Sequence, residues 1–269
     1  MTPLFFIILT FIACAMAGIA FLPFSKNKSD CRKKILIGAA LSLIPIVAKG
    51  TFSIFPLLEA RVMPIDIYAA IQRDFWLPFA VLFFALTSHL VPSRYRQSIL
   101  IIAVMLVLVV AQQSSLQLGK PDMYDYKGTI VDGVCRQTSY ETCGAASMVT
   151  LLTTKGIPTT EGEMAMLSMT APRIGLSPQG AAYGLKRKLG QLGGSEHIAI
   201  KVPELEDLHK LPKPFLAGIK FSSWTNHMVC VLETTQEYLV VGDPISVGQK
   251  KWSWNNFSKM WSGIVIVCN

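Results

Sequence analysis

The chain has 269 residues, a formal charge of +8, 51% hydrophobic residues and only 16% charged ones, where a soluble domain usually carries about 25% charged. That composition excludes a disordered chain, which would be apolar-poor and charge-rich, and argues against an ordinary cytosolic protein. Six cysteines are too few for a disulfide scaffold and too scattered for a zinc-binding pattern. The charge is also uneven. Residues 1–112 hold ten Lys and Arg against four acids, a net of +6, while residues 113–269 carry a net of +2. The excess therefore reads as a membrane-orientation signal and not as a nucleic-acid surface.

Four apolar runs dominate residues 1–112, which are predicted to form a helical membrane anchor. The first, Leu4 to Phe24, is 21 residues without a charge, enough to cross a hydrocarbon core of about 30 Å at about 1.5 Å per residue. Its lysines follow the run instead of preceding it, so it reads as a retained span and not as a signal peptide. The second run is Ile35 to Leu58, interrupted by Lys49, with Pro45 and Pro56 inside. Lys49, followed by Gly50 and Thr51, is expected to mark an early end of that span. The third is Phe75 to Val91. The fourth, Ser98 to Ala111, is only 14 residues. Positive residues in short loops mark the cytoplasmic side. The loop 25–34 has five, 92–97 has two, and 59–74 has two beside three acids. Four crossings then put the N-terminus and residues 113–269 outside the cytoplasm of a bacterial inner membrane. That placement depends on the fourth run spanning.

Residues 113–130 read as a linker, and residues 131–269 as one domain of a different grammar. Cys143 begins an apolar segment closed by Gly156, as a glycine-capped helix would be. Thr160 and Glu163 form a capping-box pair opening a second helix. Ser177-Pro178 starts a third that runs towards Gly190. Strand patterns follow at residues 197–202, 214–220, 227–233, 238–243 and 263–268, with a short helix at Trp254 to Trp261. Helices first and clustered strands afterwards predict an α+β domain with an antiparallel sheet.

The stretch Gln137 to Ala146 carries the chemistry. A cysteine at a helix N-terminus sits at the positive end of the dipole beside unpaired N–H groups, which favours the nucleophilic thiolate. The same N–H groups can hold an oxyanion, and Gln137, six residues before Cys143, can add a side-chain donor. Gly144 would let a substrate backbone approach closely. Of the histidines in this half, His209 lies in the charged segment ELEDLHK and His197 has no acid partner in the pattern. His227 opens a strand whose hairpin partner ends at Gly242-Asp243-Pro244, which places His227 and Asp243 at one edge of the sheet. Cys230 and Cys268 read as core residues and Cys135 as an inert loop thiol. Lys186-Arg187-Lys188 reads as the solvated face of a helix.

Q-x5-C-G-A-A at Gln137, H-M-V-x-V at His227, G-D-P at Gly242 and W-S-G at Trp261 occur in that order. Together they resemble the bacteriocin-processing (double-glycine leader) cysteine peptidase family, over about residues 131–269. The resemblance implies a papain-like fold. It implies Cys143 as nucleophile, His227 as general base and acid, Asp243 as its orienting partner and Gln137 as oxyanion donor. It further implies cleavage after a Gly-Gly pair ending a leader peptide. The pattern departs from the family at Thr142, where an aspartate commonly precedes the cysteine, and no exporter ATPase follows within the chain. The expected protein is a membrane-anchored cysteine endopeptidase, without cofactor or metal, acting on a secreted or exported polypeptide. Its partners would be the lipid bilayer and an export machinery, with no nucleic acid. The alternatives are a non-catalytic docking domain of the same fold, which would bind a leader, and a transport component built on the spans and Lys49.

Overall fold

The computed structural model describes residues 28–54, 56–65, 67, 76–92, 94–99, 101, 102, 105, 123–171, 175–193, 197–221, 226–246 and 248–268. The first apolar run and most of the fourth lie outside these residues. The chain forms two compact units, one of Met1–Pro56 with Ala70–Gly119 and the other of Leu57–Ala69 with Lys120–Asn269.

In the first unit, helix α1 spans Lys28–Ile54 and helix α3 spans Trp76–Ser88. They pack through Ile35 and Ala39 of α1 and Leu86 of α3. Lys49 does not end its helix, since α1 continues past it to Ile54 and tolerates Pro45 inside. At about 1.5 Å per residue, α1 is long enough to cross a bilayer core, and residues 32–52 pass the test of length and hydropathy for one span. Helix α3, with 13 residues, is shorter than that core. Leu36, Ile37, Leu41, Ile44 and Val47 of α1 are each more than half exposed.

The second unit begins at Leu57, the second residue of α2 (Pro56–Val62), and its remaining elements follow from residue 123. Strands β1 (Thr129–Val131) and β2 (Val134–Arg136) form a hairpin, with β1 opening inside the stretch expected to be linker. Helices α4 (Cys143–Thr154), α5 (Glu161–Leu167) and α6 (Pro178–Gln191) come next, each at its expected place. Gly156, at φ +73°, lies just past the end of α4. Ser177 Oγ accepts the Gly180 N–H at 3.0 Å at the start of α6. At α5 half of the predicted capping box forms: Thr160 Oγ1 accepts the Glu163 N–H at 3.2 Å. The Glu163 carboxylate turns away to Thr159 and Lys188. Lys188 is a correction to the solvated-face reading. It is buried and ion-paired with Glu163 at 2.7 Å, clamping α6 to α5.

Six antiparallel strands follow in the spatial order β3 (Ile198–Lys201), β8 (Trp261–Cys268), β4 (Phe215–Lys220), β5 (Asn226–Thr234), β6 (Tyr238–Gly242) and β7 (Gln249–Ser253). Helix α7 (Trp254–Met260) lies between β7 and β8 in the chain. Side chains alternate across a strand, and both faces of the central strands are apolar. Leu216, Met228, Cys230, Ile266 and Cys268 join the cluster under α4, α5 and α6. Phe215, Val229, Val231, Val265 and Val267 join Phe257 of α7 on the other side. The sheet is thus covered by helix on both faces, and α4 lies against β5.

Candidate active site

Cys143 is the first residue of α4, reached through a 3-10 turn at Tyr140–Thr142. Thr142 staples that turn. Its Oγ1 accepts the Ser139 N–H at 3.2 Å and donates to Ser139 O at 2.8 Å. Where the family pattern has an aspartate, this chain therefore has a buried hydroxyl that fixes the approach to the cysteine. Gly144 is required by the chain's own packing: a Cβ there would come within 2.7 Å of Leu176 Cδ2.

The histidine is delivered by the register of β5. Cys230 pairs with Gly242 of β6, so Asp243, one residue beyond, lies towards the start of β5. Asp243 Oδ1 and His227 Nε2 are 2.8 Å apart, and both side chains are buried. The Ile245 N–H and Ser246 Oγ–H also donate to the Asp243 carboxylate, at 3.1 and 3.3 Å. On its other side His227 neighbours the Cys143 thiol, which acts on the imidazole electrostatically. Nε2 faces Asp243. Ser147, one turn beyond Cys143, donates to Met228 O at 2.8 Å and ties α4 to the residue after the histidine. Phe221 stands edge-on to the imidazole, with ring centroids 5.6 Å apart.

Burial alone would lower the pKa of His227. The hydrogen bond to Asp243, the neighbouring Cys143 thiol and the charges of both outweigh it and push the imidazole from 6.5 up to about 9. Burial alone would raise Asp243. The His227 hydrogen bond, the Ile245 N–H, the imidazolium charge and Ser246 hold its carboxyl below the usual range. A positively charged imidazole is thus favoured beside the sulfur, which is what a thiolate needs.

Gln137 lies at the other flank. Its backbone N–H donates to Pro244 O at 2.9 Å, so it sits beside the Asp243 turn. Its Nε2 donates to Ser139 O at 2.9 Å and contacts Tyr140 O at 3.4 Å, while Oε1 is buried without a partner. The other titratable candidates are elsewhere. His197 and His209 are exposed. Cys135 is fully buried, and burial followed by the Glu161 charge pushes its thiol from 9.0 up to about 12. Burial likewise pushes Cys230 up. Among the described residues no group of His, Cys, Asp and Glu could hold a metal ion.

Sequence reasoning missed Ser147, Phe221 and the buried carboxylate of Glu161, which accepts from Thr138. Ser147 was findable, being four residues on from Cys143 and so on the same helix face. Glu161 was not, since an acid in the first turn of a capped helix reads as an ordinary dipole partner.

A thiol shared with an aspartate-held imidazole suits acyl transfer, and papain-like cysteine peptidases are the class that sets this pair between a helix and an antiparallel sheet. The chain belongs to one family of that class: the sequence profile of the peptidase C39 family matches residues 132–269. A curated relative, the probable functional amyloid protease FapD of Pseudomonas aeruginosa, is 32% identical over 127 residues, which is 46% of this chain and 54% of that protein. The chain thus spans about half the length of that relative. Among solved structures, the peptidase domain of Streptococcus ComA, a bifunctional ABC transporter of a quorum-sensing pathway, is 22% identical. The match covers 50% of this chain and 96% of that one, with a TM-score of 0.44. A double-glycine-motif protease from an AMS/PCAT transporter, in complex with a leader peptide, is 19% identical over 54% of this chain and 94% of that one, with a TM-score of 0.44.

Proposed function

We propose that this protein is a membrane-anchored cysteine endopeptidase that trims an exported polypeptide, cutting after a Gly-Gly pair at the end of its leader. The observation that carries the reading is the Cys143–His227–Asp243 arrangement, with His227 held 2.8 Å from Asp243 and pushed towards its charged form by Asp243 and the neighbouring thiol. The Cys143 thiolate attacks the scissile carbonyl carbon, and the backbone N–H groups at the start of α4 and the Gln137 amide donate to the oxyanion. The C–N bond breaks as His227 gives its proton to the leaving amine, and a thioester remains on Cys143. His227 then takes a proton from water, which attacks the thioester and frees the carboxylate product and the thiol. The Gly-Gly preference rests on the motif resemblance. The relative named a functional amyloid protease favours an exported, amyloid-forming protein as the substrate.

Residues 1–112 serve as anchor, 113–130 as linker and 131–269 as peptidase domain in this reading. The apolar exposed face of α1 supports contact with lipid, and the five Lys and Arg of residues 25–34 support a peptidase domain outside the cytoplasm.

The test uses the full chain in detergent with two synthetic peptides, one carrying an internal Gly-Gly pair and one with the second Gly replaced by Ala. The Gly-Gly peptide is expected to be cut after the pair, at least tenfold faster than the Ala peptide. Cys143→Ser is expected to lose at least about a thousandfold in rate, as removal of a covalent nucleophile does. Equal rates on the two peptides would sink the cleavage preference. Undiminished activity in Cys143→Ser would sink the peptidase assignment itself.

A further inference from the structure

Glu161 is fully buried and opens helix α5, yet the chemistry described above does not use it. Both of its oxygens are taken by one residue. Oε1 accepts the Thr138 N–H at 2.8 Å, and Oε2 accepts the Thr138 hydroxyl at 2.5 Å. A carboxylate removed from water needs strong compensation, and this one takes it from a neutral threonine. The place of that threonine gives the reason. Thr138 directly follows Gln137, and Ser139 after it anchors the turn into Cys143 through Thr142.

Gln137 is therefore held between two tethers. On one side its own N–H is fixed to Pro244 O, beside the residue that orients His227. On the other, the next peptide N–H is fixed to Glu161. The side chain is itself held by that segment: Nε2 donates to Ser139 O at 2.9 Å, while Oε1 is buried and unpartnered. Its aim depends on where the backbone of residues 137–139 is held. We propose that Glu161 is a positioning residue for the oxyanion side of the site, acting on Gln137 through Thr138. The inference deepens the peptidase reading and rests on Gln137 being an oxyanion donor. A relaxed 137–139 segment would weaken the donor while leaving the thiol and its imidazole in place.

Two small reagents separate these effects on the full chain, without knowledge of the natural substrate. Iodoacetamide alkylates Cys143 by displacing iodide from carbon, and no oxyanion forms. p-Nitrophenyl acetate acylates the same sulfur through a tetrahedral oxyanion: the S–C bond forms, the C–O bond breaks, and p-nitrophenolate leaves. Rates are corrected by subtracting those of Cys143→Ser. Loss of one oxyanion donor costs about 10²- to 10³-fold at most, which bounds the effect.

Glu161→Gln is expected to slow acylation by about five- to tenfold and to leave alkylation within about twofold. Thr138→Val, which keeps the N–H and loses the hydroxyl, should act in the same direction and covers the case in which the Glu161 variant folds poorly. Gln137→Ala should slow acylation more than either, again without slowing alkylation. The double variant Glu161→Gln/Gln137→Ala should match Gln137→Ala within about twofold, because a misplaced donor and a missing one are the same loss. Parallel falls with both reagents, or losses that multiply in the double variant, would overturn the inference. If Gln137→Ala slows acylation selectively and the Glu161 and Thr138 variants do not, only the role of Glu161 falls. If Gln137→Ala leaves acylation unchanged, the oxyanion reading of Gln137 falls and takes this inference with it.

Discussion

The proton on His227 sets the pH range over which this centre holds together. With the imidazole at about 9 against an ordinary 6.5, the folded state prefers the protonated ring. The stabilisation this contributes is complete below about pH 6.5 and is lost as the pH rises towards 9. Asp243 has the opposite sign, its carboxyl being held below the ordinary 3.8. Its contribution is complete above about that value and is lost as the pH falls through the lowered folded value. In Asp243→Asn the charge on Asp243 is gone, so the imidazole should drop back towards 6.5 and the loss of stability above that pH should shrink. The alkaline limb of kcat/KM should move down with it, since His227 must carry the proton that leaves with the amine. At pH 7 kcat/KM should fall about 10- to 100-fold, within the range of a positioned acid–base group. Thermal unfolding and kinetics across pH 5 to 10 measure both, and an alkaline limb shared by variant and wild type would refute the role assigned to Asp243. The residues of this pair were readable because chemistry restricts the choice. A helix-start cysteine and a strand-start histidine opposite a turn aspartate leave few alternatives. Ser147 could be read only from its spacing to Cys143, and Glu161 not at all, since it acts on Thr138, a residue no motif names.

At the scale of elements, the helical half of the peptidase unit depends on close contact between α5 and α6. Gly184 of α6 is a point of close approach. A Cβ there would stand 2.7 Å from the Cβ of Ser168 and 3.0 Å from its Cα and N, which are backbone and cannot swing aside. Ser168 is itself fixed by a 2.6 Å hydrogen bond to Met164 O. Gly184→Ala raises helix propensity by about 1 kcal/mol, but overpacking costs about 1–3 kcal/mol, and the clash with backbone puts the balance on the destabilising side. The variant should melt lower, while Gly190→Ala, with open space around its Cβ position, should melt at the wild-type temperature or above. A Gly184→Ala variant as stable as wild type would show that α6 can shift freely against α5. The helices and central strands were legible because caps and apolar runs mark them. The β1–β2 hairpin was not, its strands being three residues each, too short for a period. Strand β7, reading QKKWS, was hidden by its lysines, which suit an exposed sheet edge.

For the whole molecule, residues 57–69 carry the strongest constraint on topology. They run from the end of the second apolar run towards the third, yet they belong to the peptidase unit. Ile65 packs on the core cluster that Cys143 also touches, and a Cβ on Gly263 of β8 would stand 3.1 Å from Leu57 Cδ2. In the anchored reading proposed above, two segments in contact must lie on one side of the membrane, and that reading then requires an even number of crossings between residues 69 and 120. The short fourth run, whose span the loop charges alone left open, then crosses if the third does. Single cysteines at Val62, Gln97 and Lys259, all exposed, put this to the test in the full chain with its other accessible thiols replaced by serine. An impermeant maleimide added to spheroplasts should label Val62→Cys and Lys259→Cys, and should reach Gln97→Cys only after permeabilisation. Labelling of all three would mean that neither the third nor the fourth run crosses, and the parity would still hold. Val62→Cys and Lys259→Cys reporting opposite sides would break it, because a loop cannot pack against a domain across a bilayer.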